Sequence, residues 1–358
     1  MAGFPARIDG MRLVWRPGRR RRLILAAICF LSASAYSQSG PSAPPQTSAP
    51  PALPPTIQVQ SNIVFVPATV ESKDGQIVYD LTANEFLVKD NGAPQQARME
   101  EEADSLGLSL AVVVQCSRSA VMEYAKISGL DTMVESIAGG APHEIAVIAY
   151  GDKPHVLGDF SSNPDATERA IGRLEPCDDG NAATLDAVSA AAAMLDARQN
   201  EYRHAILLIG ETRDHGSRAR PADVIAELGR TNTVVDAVAF SPGRNELLSD
   251  LRYDTGSGPL GMLYMAVSAM RRNVPKTLAG LSGGQYIRFS SQKNFDSAML
   301  NVANHIHNYY LLSFQPQPPT SNGLHALSVS LPRYPQTHVY ARASYWYGPL
   351  PAPTADGR

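Results

Sequence analysis

From residue 106 onward the chain alternates apolar runs with helix-like stretches, and no other feature narrows its fold as far. Residues 108–114, 144–150, 205–209 and 233–240 are strand-like, while residues 121–138, 163–174, 183–197 and 221–230 are helix-like. Strands that alternate with helices predict an α/β fold, a doubly wound and mostly parallel sheet covered by helices on both faces. Residues 154–160 fit a short edge strand. Residues 249–259 are turn-rich and read as a loop, and a Met-rich helix over 260–272 follows. Pro275 opens a further helix at a position that tolerates its missing N–H. Gly283-Gly284 ends that helix, residues 285–289 return as a sixth strand, and residues 294–308 are helical again.

The flanks have a different character. Strand material at Ile57, Val59, Ile63 to Val66 and Thr69-Val70, with turn signals at Asp74-Gly75 and Asp90-Asn91-Gly92, marks residues 57–100 as a small β module or as an extension of the neighbouring sheet. The main domain occupies residues 105–308. Strands at 309–314, 326–331 and 339–347 form a C-terminal β extension over 309–348, and residues 349–358 read as a disordered tail. Each flank is too small for a core of its own, so the two are expected to pack together.

Arg19 to Arg22, the mostly apolar residues 23–31 and the small residues that follow have the order of a secretory signal peptide over residues 1–35. An uncleaved anchor is the alternative, although the apolar run is short for a membrane span. Residues 36–56, rich in Pro, Ser, Ala and Gln, read as an extended linker. The mature chain is thus expected to be exported, to the periplasm, the envelope or the medium, with no membrane span after cleavage. Cys116 and Cys177 are then its only cysteines, which favours one disulfide or two inert buried thiols. With a net charge of −3 and no basic block beyond the N-terminus, nucleic acid is excluded as a partner.

Enzyme motifs do not survive their context. Gly280-Leu281-Ser282-Gly283-Gly284 matches Gly-x-Ser-x-Gly, but it lies between a helix and a following strand, the reverse of a nucleophile turn. His305 and His307 straddle Ile306 on a helix and point apart. No phosphate loop, dinucleotide fingerprint or zinc spacing is present.

The first strand runs into Gln115-Cys116-Ser117-Arg118-Ser119, which resembles the Asp-x-Ser-x-Ser metal-binding motif of von Willebrand factor A domains with Gln115 in place of the aspartate. On the same alignment the family's threonine falls on Ala182 and its second aspartate on Glu211. The chain over about residues 57–348 also resembles exported von Willebrand A-like proteins abundant in Acidobacteria. That likeness rests on Phe86-Leu87-Val88-Lys89-Asp90-Asn91-Gly92, Glu211-Thr212-Arg213-Asp214-His215-Gly216, Asn273-Val274-Pro275-Lys276-Thr277-Leu278-Ala279, Gly283-Gly284-Gln285-Tyr286 and Tyr309-Tyr310-Leu311.

This resemblance implies a degenerate metal-ion-dependent adhesion site at Gln115, Ser117, Ser119, Ala182 and Glu211. A hard divalent ion needs oxygen ligands and carboxylate charge, so weak or absent Mg²⁺ binding and no cofactor are expected. The alternative role for Ser117 and Ser119 is to cap the first helix. In this fold the loops of Cys116 and Cys177 share the C-terminal edge of the sheet, where a disulfide could join them. In metal-competent relatives a partner's acidic residue completes the ion's coordination. Here Arg118 and Arg213, with Asp214 and His215 beside them, are the candidates for holding a protein partner, the arginines favouring a carboxylate. The leading expectation is a non-catalytic binding or scaffold protein. The alternatives are an envelope hydrolase-like enzyme using the loop around His215, or a purely structural envelope component.

Overall fold

A computed structural model of the chain describes residues 63–100, 106–240, 258–317 and 320–349. The expected signal peptide, the linker, the start of the first β segment, nearly all of the loop expected over 249–259 and the tail beyond 349 lie outside the described residues. No helix among the described residues is long and apolar enough to cross a membrane.

The central sheet has six strands: β5 (Leu108–Gln115), β6 (His143–Tyr150), β7 (Pro154–Ser161), β8 (Arg203–Glu211), β9 (Val234–Phe240) and β10 (Tyr286–Phe289). Their order is β10-β9-β8-β5-β6-β7, all parallel except the edge strand β7, which runs antiparallel to β6. All eight residues of β5 are buried, as in a strand covered on both faces, and its two polar residues are paired, Ser109 with Glu144 and Gln115 with Ser117 and Ser119. Side chains alternate across a strand. Ala111 and Val113 therefore pack against α3 (Thr184–Asp196), α4 (Pro221–Arg230), α5 (Gly258–Met270) and α6 (Val274–Ser282). Leu110, Val112 and Val114 face α1 (Leu130–Ala138) and α7 (Gln292–His307) on the other side, and α2 (Pro164–Ile171) adds Ala170 to that layer.

Two further antiparallel sheets combine strands from the two ends of the chain. In the order β13-β1-β11-β4, β1 (Val64–Glu71) pairs with β11 (Tyr310–Phe314) and β13 (His338–Ala341), and β4 (Arg98–Met99) borders β11. In the order β14-β12-β2-β3, β12 (Gly323–Ser330) lies between β14 (Ser344–Tyr347) and β2 (Leu87–Asp90), which turns through Asn91-Gly92 into β3 (Ala93–Gln95). The two sheets share one core, with Val66, Val70 and Val88 from the first segment against Leu312, Phe314 and Tyr345 from the last. None of these strands pairs with the parallel sheet.

Within the shared core His325 lies between acceptors, Nδ1 at 2.9 Å from Asp90 Oδ1 and Nε2 at 2.6 Å from the Ser321 carbonyl. Burial opposes its charge, but these acceptors outweigh the burial and its pKa is raised.

Three local expectations change. The helix expected over 121–138 is divided. Residues Arg118–Lys126 form 3₁₀ turns, and Gly129 at φ 84° resets the chain before α1 begins. Val121 and Met122 are exposed, and the stretch reaches the core only through Ala120, Tyr124 and Ile127. The strand expected over 339–347 becomes β13 and β14 in different sheets. Between them Arg342 is buried and donates to the carbonyls of Ser344 and Phe65 and to Asn232 Oδ1. Beyond the Asp74-Gly75 turn, Ile77 makes only an isolated bridge to Glu71 rather than a second hairpin strand.

Candidate functional site

The parallel strands β5 and β8 end beside each other, the C-terminal edge at which open α/β sheets place their sites. Gln115 is the last residue of β5 and is 1% exposed. Its Oε1 accepts the backbone N–H of Glu211 at 2.7 Å, which determines the orientation of the amide. Its Nε2 therefore points into the loop and donates to Ser117 Oγ and Ser119 Oγ, each at 2.8 Å. The two hydroxyls are 3.3 Å apart. Gly210 makes this arrangement possible, because a Cβ there would fall 2.1 Å from the Tyr150 hydroxyl and 3.1 Å from Gln115 Oε1. Burial pushes the Tyr150 hydroxyl far above its ordinary pKa, so it remains a neutral group 3.4 Å from Thr184 Oγ1.

The neighbouring loops are joined to this one at several points. Cys116 and Cys177 form a disulfide, with Cα atoms 5.1 Å apart, and Cys177 N donates to Cys116 O at 2.8 Å. Arg118 N donates to Asp179 O at 3.0 Å. Ala182 and His215 exchange backbone hydrogen bonds of 3.1 and 2.9 Å. Asp214 Oδ1 accepts from Leu185 N at 3.0 Å and from Ser217 Oγ at 2.5 Å, tying the Glu211 loop to the start of α3. Asp186 answers from α3 by accepting from the backbones of Arg218 and Ala219.

All five metal-site positions meet in this loop cluster, but their chemistry does not suit a hard divalent ion. The carbonyl oxygen of Gln115 is taken by Glu211 N–H, and the amide protons face the two hydroxyls whose lone pairs an ion would need. Ala182 contributes only a methyl group and is fully buried. Glu211 is buried, with His215 Nε2 3.8 Å from its Oε1. Asp179 lies near the two sulfurs, but these are bonded to each other and offer no thiolate. The serines do not serve as helix caps either: Ser117 precedes the 3₁₀ turns without a side-chain cap hydrogen bond. Asp214 is turned inward, whereas Arg118, Arg213 and His215 are exposed. Neither Arg118 nor Arg213 has a side-chain partner among the described residues.

Sequence reasoning missed Tyr150, Gly210 and the tying role of Asp214. A glycine between the apolar run of β8 and Glu211 was a legible sign of close approach, but what approaches it was not. At the rejected hydrolase motif, Ser282 is buried and its Oγ accepts from Val235 N at 2.9 Å, while Gly283 closes α6 in the left-handed conformation.

Residues 112–212 match the model of the von Willebrand factor type A domain. The parallel sheet and its helices have this fold, to which the two antiparallel sheets of N- and C-terminal strands are added. Among solved structures, the chain is similar to proximal thread matrix protein 1 from the mussel byssus, with a zinc-occupied MIDAS motif. The two share 14% identity over 60% of this chain and 48% of that one, with a TM-score of 0.41. It is also similar to a von Willebrand factor type A protein from Catenulispora acidiphila (13% identity, 81% and 64% covered, TM-score 0.41). BatB from Bacteroides thetaiotaomicron is a third (13% identity, 55% and 100% covered, TM-score 0.37). The chain thus spans about half the length of the byssus protein. No curated protein matches it.

Proposed function

We propose that this chain is an exported, non-catalytic protein-binding module of the Acidobacteria-type group it resembles, meeting its partner across the C-terminal edge of the parallel sheet without a metal ion. One observation carries this reading. The loop cluster is held by the disulfide and by the Gln115 hydrogen bonds, and it presents Arg118 and Arg213 exposed and without side-chain partners among the described residues. Guanidinium groups on pre-organised loops bind carboxylates through paired hydrogen bonds at little ordering cost. They supply the positive charge that an ion would otherwise bring to an acidic partner.

The test is recovery of partners from the native cell envelope on immobilised protein, identified by mass spectrometry, with the wild type and with Arg118→Ala/Arg213→Ala. A partner retained by the wild type should be lost from the double variant. Its recovery should also fall as salt is raised, because exposed charges are screened. Equal recovery on both proteins would remove this edge as the binding surface.

A further inference from the structure

The disulfide at the C-terminal edge of the sheet has a carboxylate beside it. One Asp179 carboxylate oxygen and the sulfurs of Cys116 and Cys177 all lie within 4.8 Å of one another. The backbone holds Asp179 there: its Oδ2 accepts from Asp152 N at 2.8 Å, and a Cβ at Gly151 would collide with the carboxylate. Its Oδ1 has no hydrogen-bond partner among the described residues. A disulfide offers a carboxylate neither a proton nor a charge. Two thiolates and a carboxylate together are a set of metal ligands.

The three donors do not owe their proximity to the S–S bond alone. Cys177 N donates to Cys116 O at 2.8 Å and Arg118 N to Asp179 O at 3.0 Å, so the backbone still joins the two segments when that bond opens. With the Cα atoms 5.1 Å apart, rotation about the Cα–Cβ bonds is enough to separate the sulfurs. In a tetrahedral zinc site the ligands stand at about 2.3 Å for sulfur and 2.0–2.2 Å for oxygen, which puts them roughly 3.5–3.8 Å from one another. That lies within the spread already present.

Access to the bond is one-sided. Cys116 is buried, while Cys177 and Asp179 are half-buried. A dithiol reductant therefore meets the Cys177 sulfur first. Its thiolate attacks that sulfur, the S–S bond breaks and Cys116 leaves as the thiolate. The second thiol of the reductant then releases Cys177. The reductant is oxidised by two electrons to its own disulfide, and its two protons pass to Cys116 and Cys177. A divalent ion that binds both sulfurs displaces these protons to solvent.

Two sulfurs select a thiophilic ion, and a carboxylate oxygen in the same set favours Zn²⁺ over Cu⁺. We propose that the reduced chain holds one Zn²⁺ on Cys116 Sγ, Cys177 Sγ and an Asp179 carboxylate oxygen, with water in the fourth position. Ser117, Ser119 and Glu211 take no part, so this site is distinct from the degenerate adhesion-site positions. The loops are then joined by a covalent bond when oxidised and by zinc when reduced. The partner-binding proposal concerns the oxidised chain and is tested separately.

Co²⁺ is the probe, because it occupies zinc sites and its thiolate complexes absorb light. The full chain carries Cys29→Ser, so that Cys116 and Cys177 are its only cysteines. It is reduced with dithiothreitol, freed of reductant by anaerobic gel filtration and titrated with Co²⁺. A thiolate-to-cobalt charge-transfer band should saturate at one ion per chain and disappear when Zn²⁺ is added. The oxidised chain should show no such band. Asp179→Asn, which can still accept from Asp152 N, should bind Co²⁺ at least about tenfold more weakly; that is the lower end expected for loss of an outer-shell partner, and so a floor for loss of a ligand. Absence of the band from the reduced chain, or the same band in the oxidised chain, would overturn the proposal. So would equal affinity in Asp179→Asn, the result expected of two thiols that bind the ion in an unfolded segment.

Discussion

The two ends of the parallel sheet solve the problem of buried polar groups in opposite ways. At the C-terminal edge the Gln115 amide is fully used, its oxygen by Glu211 N–H and its nitrogen by two serines. At the N-terminal edge Asp236 uses one oxygen and leaves the other buried without a hydrogen-bond partner among the described residues. An amide that completes its own hydrogen bonds has little left to offer a ligand, and the function proposed above accordingly assigns recognition at that edge to the exposed arginines outside the network. A buried carboxylate with one unpaired oxygen depends instead on the charge of its neighbour, His305. The comparison shows that residues matching a metal-binding motif by position can spend their polar atoms on one another.

The largest effect expected on this contrast comes from the disulfide. It closes a loop over a sequence separation of 61, for which the chain-entropy model gives about 4 kcal/mol before native-state strain. Cys116→Ser/Cys177→Ser should lower the urea midpoint of unfolding accordingly, whereas two alkylatable thiols in the unreduced denatured protein would show that the edge is held by hydrogen bonds alone.

The second test converts one edge chemistry into another. Gln115→Asp with Ala182→Thr restores a carboxylate and a hydroxyl beside Ser117, Ser119 and Glu211. An ion at a hundred times its dissociation constant stabilises the folded state by about 2.7 kcal/mol. Millimolar Mg²⁺ should therefore raise the melting temperature of the double variant and leave that of the wild type unchanged. A clear rise in the wild type, abolished by Glu211→Ala, would mean that the Gln115 amide gives way to an ion.

A third expectation concerns how tightly the Gln115 network is packed. Gly210→Ala places a Cβ against the Tyr150 hydroxyl and Gln115 Oε1, and overpacking of this kind costs about 1–3 kcal/mol. Chemical denaturation should show that loss, and Tyr150→Phe in the same background should recover part of it by removing the obstructing oxygen.

The smallest expected effect lies at the other end. The pKa of His305 is raised above 6.5 in the folded chain, so its ion pair stabilises the fold fully below pH 6.5 and less as the pH climbs through the raised value. His325 is shifted the same way and contributes with the same sign. Thermal unfolding should show these two contributions falling as the pH rises from about 6 toward the alkaline side, against the opposite contribution of His204, whose pKa burial lowers. Replacing the first pair as a unit, Asp236→Asn with His305→Gln, should flatten part of that slope and leave the share of His325. An unchanged slope would mean that His305 does not hold an extra proton in the fold.

The sequence alone determined the order of strands and helices in the central sheet, and the reason is local. A strand buried on both faces must be continuously apolar, and a helix on its face must be apolar at helical spacing, so both write their periodicity into the chain. Residues 108–114 and 221–230 were legible for that reason, and so was the end of α6 at Gly283. Only the tertiary structure decided the rest. The chain's two ends interleave in shared sheets because β1 and β11 complete each other, a pairing across more than two hundred residues that no local period records. The break at Arg342 depends on carbonyls supplied by distant elements. The direction of the Gln115 amide is set by an N–H 96 residues away, and that of the Asp236 carboxylate by an N–H 49 residues away. Periodicity reports which face of an element is buried, but hydrogen-bond partners are chosen by where the chain brings other elements, and that is decided in three dimensions.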